Sequence, residues 1–125
     1  MTSGTGVASA DYAADLAETI RENPNLRFAG VMAFEAHVKA RADSKGDYER
    51  LCAEAMDDLA AVVDRIEAAG VAVDEVKVGG TATSKFSGKH AVVTEINPGM
   101  YVFNDVGELR ERSYELGVED SRSEF

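Results

Sequence analysis

The strongest constraint on the fold is a helical repeat in the middle of the chain. Tyr48, Leu51, Cys52, Ala55, Met56, Leu59, Val62, Val63 and Ile66 recur at helical spacing. Glu49, Arg50, Glu54, Asp57, Asp58, Asp64, Arg65 and Glu67 take the opposite face, so the segment reads as a helix with one buried stripe. The run before it, residues 26–34, is almost wholly apolar, and a second strand-forming stretch, residues 71–78, follows it. A strand, a long helix and a strand in succession form a crossover, which joins parallel strands. Residues 26–34 then read as a strand covered on both faces.

The remaining elements extend this pattern. Ser9 can cap a helix presenting Tyr12, Leu16 and Ile20 on one face with Ala13 and Ala17 beside them, and Asn23-Pro24 ends it, because the residue before proline avoids helical geometry. Ser44 with Asp47 three residues on resembles a capping box for the central helix, and Gly70 is its natural stop. Residues 91–96 and 100–103 bracket Asn97-Pro98-Gly99 as a third strand region, and residues 105–116 can form a last helix. We expect one α/β domain over residues 9–116, a disordered terminus over 1–8 and an irregular charged tail over 117–125, as if the chain were cut short.

Composition excludes several functions. With 23 acidic against 13 basic residues the net charge is −10, and a nucleic-acid partner is not expected because phosphates require clustered Lys and Arg. The dispersed acids fit either a halophilic origin, where salt screens their repulsion, or an ordinary acidic surface. Cys52 is the only cysteine, which rules out an internal disulfide and cysteine-pair metal sites. It falls on the buried helix face. There is no secretory signal and no apolar run of about 20 residues, so no membrane partner and a cytoplasmic location are expected.

Three segments can carry chemistry. Gly79-Gly80-Thr81-Ala82-Thr83-Ser84 directly follows a strand. Its bare backbone amides, with the Thr and Ser hydroxyls, can surround an anion, although a flexible connection is the plainer reading. Pro98-Gly99-Met100-Tyr101 is a second small-residue turn. Two such turns at the same ends of successive parallel strands mark where ligands of these sheets sit. Phe34-Glu35-Ala36-His37 closes the first strand on that side. His37 is the catalytic candidate, against the default of a surface or satisfied histidine, and Glu35 beside it stands against the same default. His90, in a loop, reads as exposed. No cluster has metal-ligand spacing.

With these segments in place, the chain resembles the D-threonine aldolase and metal-activated D-serine dehydratase family over residues 26–105. Gly30-Val31-Met32-Ala33-Phe34-Glu35-Ala36-His37 is similar to the family's Gly-Leu-Met-Gly-Tyr-Glu-Gly-His. Gly79-Gly80-Thr81-Ala82-Thr83 is similar to its Gly-Gly-Thr-Gly-Thr. Residues 94–103, from Thr94-Glu95-Ile96-Asn97-Pro98-Gly99 through Met100, Tyr101 and Phe103, are similar to its Thr-Glu-Ile-Gln-Pro-Gly-Ser-Tyr-Val-Phe. The resemblance implies an alanine-racemase-like, fold type III enzyme of pyridoxal phosphate, and it assigns this chain the last strands of a (β/α)8 barrel. A whole barrel needs about 250 residues, so the expected fold is partial, about three parallel strands with outer helices.

The resemblance further implies that Gly79, Gly80, Thr81, Gly99, Met100 and Tyr101 hold the cofactor phosphate and that Phe34 lies against the pyridine ring. Phe34 replaces a tyrosine and Met100 a serine. The family's cofactor-bonding lysine sits in a first-strand basic motif that is absent here, and the divalent-metal ligands come from a C-terminal domain that is also absent. None of Lys39, Lys45, Lys77, Lys85 and Lys89 has that context. The expectation is a fragment of an enzyme acting on a small D-amino acid, inactive alone, with missing barrel segments or further copies as partners. A non-catalytic module for a phosphorylated ligand and a non-functional truncated product are the competing readings.

Overall fold

The computed structural model describes residues 6–99 and Val102. Its elements are α1 (Ala10–Glu22), β1 (Gly30–Phe34), α2 (Ala36–Arg41), α3 (Lys45–Ala68), β2 (Glu75–Gly79), α4 (Ser84–Ser87) and β3 (Glu95–Asn97). The strands form one parallel sheet in the order β1-β2-β3. This is the expected α/β arrangement of three parallel strands with helices outside. The expected helix over 105–116, the tail over 117–125 and most of the strand region over 100–103 lie outside the described residues.

The central helix forms where its repeat and its cap agree. The Asp47 amide donates to the Ser44 hydroxyl at 3.1 Å, and that hydroxyl donates to the Asp47 carboxylate at 2.8 Å. The cap satisfies an amide that the first helical turn leaves without a partner. Gly70 ends the helix with φ +80. Met56, Leu59 and Val63 of α3 pack on Val76 and Val78 of β2. Met56 and Val78 are fully buried, each worth about 1.5–3 kcal/mol of apolar transfer. At the start of α3, Tyr48, Leu51 and Cys52 enclose Val38, Ala82 and Phe86, and the Tyr48 and Phe86 rings meet at 5.8 Å.

Three expectations are corrected. First, α1 buries Ala13, Ala14 and Ala17, while Tyr12 and Leu16 are exposed. The alanines pack with Ile66 and Val71, because small side chains let the helix lie close to α3, and an Asp11–Arg65 ion pair at 2.7 Å joins the same two helices. Second, β1 is covered on one face only: Val31 and Ala33 pack toward the helices, whereas Met32 and Phe34 are about two-thirds exposed, at 66% and 65%. Among the described residues the helices lie on a single side of the sheet. Third, the third strand begins later than residue 91: residues 91–94 are turn and coil, and β3 is short. Thr94 starts its pairing, accepting the Val76 amide on its hydroxyl at 2.8 Å and donating its own amide to the Val76 carbonyl at 3.0 Å.

Candidate functional site

The register places Phe34 beside Gly79 and Gly79 beside Asn97, so one row of backbone closes the carboxyl end of the sheet. A β-carbon added at Gly79 would lie 3.4 Å from the Phe34 ring, and one at Gly80 would lie 3.5 Å from it. The ring therefore faces the side of Gly79 and Gly80 that a β-carbon would occupy. Gly80 has φ +129, a conformation that side chains rarely allow.

The turn after Gly80 is held from within. Its carbonyl accepts the amides of Thr83 and Ser84 at 3.2 and 2.9 Å. The Thr83 hydroxyl donates to the carbonyls of Gly79 and Gly80 at 3.3 and 3.2 Å, and the Ser84 hydroxyl to that of Thr81 at 3.2 Å. Both hydroxyls thus have acceptors within the turn. The segment is also not a loose connection, since Ser84–Ser87 coils into α4. Thr81, half-buried, stays beside the turn. Gly99 follows β3 at the same end of the sheet and is exposed, and a β-carbon added there would meet no described atom within 4 Å. Met100 and Tyr101 lie outside the described residues.

Phe34, Gly79 and Gly80 are therefore brought together. His37 is placed on the first turn of α2, half-buried, and makes no hydrogen bond or ion pair among the described residues. Glu35, one residue beyond Phe34, is only 2% exposed, and neither carboxylate oxygen has a partner among the described residues. Its neighbourhood is the Cys52 thiol, which burial pushes up in pKa; the Ser87 hydroxyl draws it down and the Glu35 carboxylate raises it further. Little in the sequence signals this buried acid, because a polar residue between a strand and a helix ordinarily faces water. His90 is likewise not loose: its Nδ1 accepts the Val92 amide at 3.2 Å and its Nε2 lies 3.2 Å from the Asp57 carboxylate, tying this loop to α3.

Lys77 is the lysine on the uncovered face of the sheet. Its ammonium stands 3.0 Å from Glu75 and 3.1 Å from Glu95, and hydrogen bonds to these carboxylates hold its pKa above the ordinary lysine value. An amine held protonated is a poor nucleophile toward a carbonyl. Among the described residues no group of three or more His, Cys, Asp or Glu is placed to hold a metal ion, and no helix is long and apolar enough to cross a membrane.

The profile of the alanine racemase N-terminal domain matches residues 3–106 of the chain. The chain belongs to that family. Among curated proteins it is similar to a D-threonine aldolase of Arthrobacter sp, 28% identical over 100 residues, and to a 3-hydroxy-D-aspartate aldolase of Paracoccus denitrificans, 29% identical over 100 residues. Each match takes in 80% of this chain and 26% of the relative, so the chain spans about a quarter of the length of the curated relatives it matches. Among solved structures, the D-threonine aldolase of Filomicrobium marinum superposes with a TM-score of 0.79 at 26% identity, over 86% of this chain and 29% of that one. The D-threo-3-hydroxyaspartate dehydratase of Delftia sp. HT23, at 23% identity, shares the fold with a TM-score of 0.72, over 89% of this chain and 29% of that one. The three-stranded sheet with its outer helices is thus a part of an alanine-racemase-like α/β barrel.

Proposed function

We propose that this chain supplies the phosphate turn and ring contact of a pyridoxal-phosphate site, in an enzyme of D-threonine aldolase type acting on a small D-amino acid. The observation that carries the proposal is the Phe34 ring facing the side of Gly79 and Gly80 that a β-carbon would occupy, at the carboxyl end of a parallel sheet. A planar ring packs favourably against an aromatic neighbour, and backbone amides that no β-carbon obstructs can approach a phosphate closely. The residues present fit the non-covalent part of the cofactor. Pyridoxal phosphate, when bound, supplies an electron sink that eases bond breaking at the amino acid's α-carbon.

The chain's own residues bind and orient. Gly79, Gly80 and Thr81 supply one side of the phosphate cup and Gly99, at the same end of the sheet, contributes to the other, with Phe34 as the ring contact. His37, two residues beyond the buried Glu35, is the candidate to carry a proton. The covalent part is not met, since Lys77 is clamped between two carboxylates, and the chain is inactive by itself. A divalent metal, if the complete enzyme uses one, takes its ligands from elsewhere. The clamped lysine equally favours a second reading, a non-catalytic module that retains the cup for a phosphorylated ligand.

Amide resonances on titration with pyridoxal phosphate, pyridoxal and inorganic phosphate test the proposal. Shifts centred on Gly79–Thr81 and Gly99, shared by the two phosphate-bearing probes and lost in Gly80→Val, are expected. That substitution costs about 2–4 kcal/mol of binding, the worth of one or two charge-assisted hydrogen bonds. Borohydride reduction should then leave no lysine stoichiometrically labelled. Shifts elsewhere, or a Gly80→Val protein that binds like the parent, would remove the cup.

A further inference from the structure

Glu35 follows β1 and is the N-cap of α2, yet its side chain makes no cap bond. It is buried, and neither carboxylate oxygen has a hydrogen-bond partner among the described residues. The Ser87 hydroxyl, at the end of α4, is buried as well, and its oxygen has no well-directed partner there either. The Cys52 thiol of α3 stands close enough to respond to both. Burial first pushes its pKa up, the Ser87 hydroxyl draws it down, and the Glu35 carboxylate raises it further. Cys52 packs in one apolar cluster with Val38 of α2 and Phe86 of α4, so these polar groups meet where three helices close on each other. A lone carboxylate in such surroundings is costly unless something balances its charge and occupies its lone pairs.

The geometry points to a site for a monovalent alkali cation, held by the Glu35 carboxylate and the Ser87 hydroxyl, with the Cys52 sulfur bordering it. Charge decides the class of ion. A thiol pushed above its ordinary pKa stays protonated at neutral pH, so the carboxylate is the one charge of the cluster. A monovalent cation cancels it, whereas a divalent ion would leave a positive charge buried. Divalent transition metals also favour thiolate and imidazole ligands, and no group of three or more His, Cys, Asp or Glu is placed for one among the described residues. Carboxylate and hydroxyl oxygens are hard donors that suit an alkali ion. Such an ion ties the end of β1, which carries Phe34, to α4, the helix that closes the Gly80 turn. The inference stands on these buried groups, independently of the cofactor.

Thermal melts of the full chain test it, at one ionic strength, with the nitrate of tetramethylammonium, sodium, potassium or thallium(I) as the only added salt. Screening is the same for every monovalent cation at fixed ionic strength, so a spread among the midpoints reports a site. Sodium or potassium should lift the midpoint by roughly 4 °C or more over tetramethylammonium, and the larger gain names the ion. Glu35→Gln should abolish this difference, even where removal of a buried charge raises the midpoint in every salt. Ser87→Ala should shrink it. Glu49→Gln removes an equal charge from the exposed face of α3 and should leave it intact. The bound thallium(I) resonance, displaced by potassium, gives a readout that needs no melting, and it decides the matter with Ser87→Ala if Glu35→Gln does not fold. Equal midpoints in all the cations overturn the inference, as does a cation-specific gain that persists in Glu35→Gln or in Ser87→Ala at full size. Because cofactor is left out, a failed phosphate cup would not alter any of these outcomes.

Discussion

At Gly80 the backbone runs at φ +129, and a β-carbon there would lie 2.5 Å from the Thr83 hydroxyl. At Gly99 a β-carbon would meet nothing within 4 Å among the described residues. The two glycines thus differ as residues, although both read in the sequence as small positions in turns. Gly80→Ala should lower unfolding stability by about 1–3 kcal/mol, the usual cost of holding a side chain in such a conformation. Gly99→Ala should stay within about 0.5 kcal/mol of the parent. Urea unfolding of the two variants measures the contrast, and equal costs would mean that the Gly80 turn relaxes. The turn at Gly79 and Gly80 is legible from its residue types, whereas a ring contact by Phe34 is what the family resemblance implies. The burial of Glu35 is not legible, since it depends on which segments pack around it.

Among the elements, α3 shows the closest agreement between sequence and structure, and its cap sets a pH dependence. The Ser44 hydroxyl, and after it Arg50, hold the Asp47 carboxyl below its ordinary pKa. A carboxyl whose folded pKa is depressed contributes stability above its unfolded value, near 3.9, and loses it as the pH falls through the folded one. Ser44→Ala removes the hydroxyl that both accepts the Asp47 amide and donates to its carboxylate. It should cost about 0.5–2 kcal/mol at neutral pH, with the deficit shrinking in acid below the carboxylate range. Thermal melts of parent and variant at neutral pH and in acid below the Asp47 range would show it, and a deficit that grows in acid would contradict the assignment. In α1 the agreement is weaker. Its apolar period is plain, but Tyr12 and Leu16 carry more hydrophobic surface than the alanines that pack inward. Close contact with α3 selects the smaller face.

For the whole molecule the dominant quantity is charge. With a net charge of −10, compaction brings like charges together, and salt that shortens the screening length relieves the repulsion. Raising potassium chloride from about 0.1 M to about 2 M should lift the unfolding midpoint by roughly 4–8 °C, equivalent to about 1 kcal/mol for a domain of this size. A flat or falling midpoint in a melting series would place the chain with ordinary acidic proteins and remove the case for a halophilic origin. The ion pairs of the structure act the other way, since salt weakens exposed pairs such as Arg50–Glu54, but each is worth at most about 1 kcal/mol.

The types of α1, β1, α3, β2 and β3, the parallel crossover and the glycine turn can be read from the order of residues, because each follows from local causes: a helical period, an apolar run, a cap, a residue without a β-carbon; the short α2 and α4 carry no such signal. Three outcomes waited on packing: which face of α1 is buried, that Thr83 and Ser84 spend their hydroxyl protons inside the turn, and that Lys77 is clamped by Glu75 and Glu95. Those outcomes depend on which segments meet across the chain. The residues at i and i+2 of a strand announce that they share a face, but nothing in their spacing says whether that face will meet helices, water or another strand.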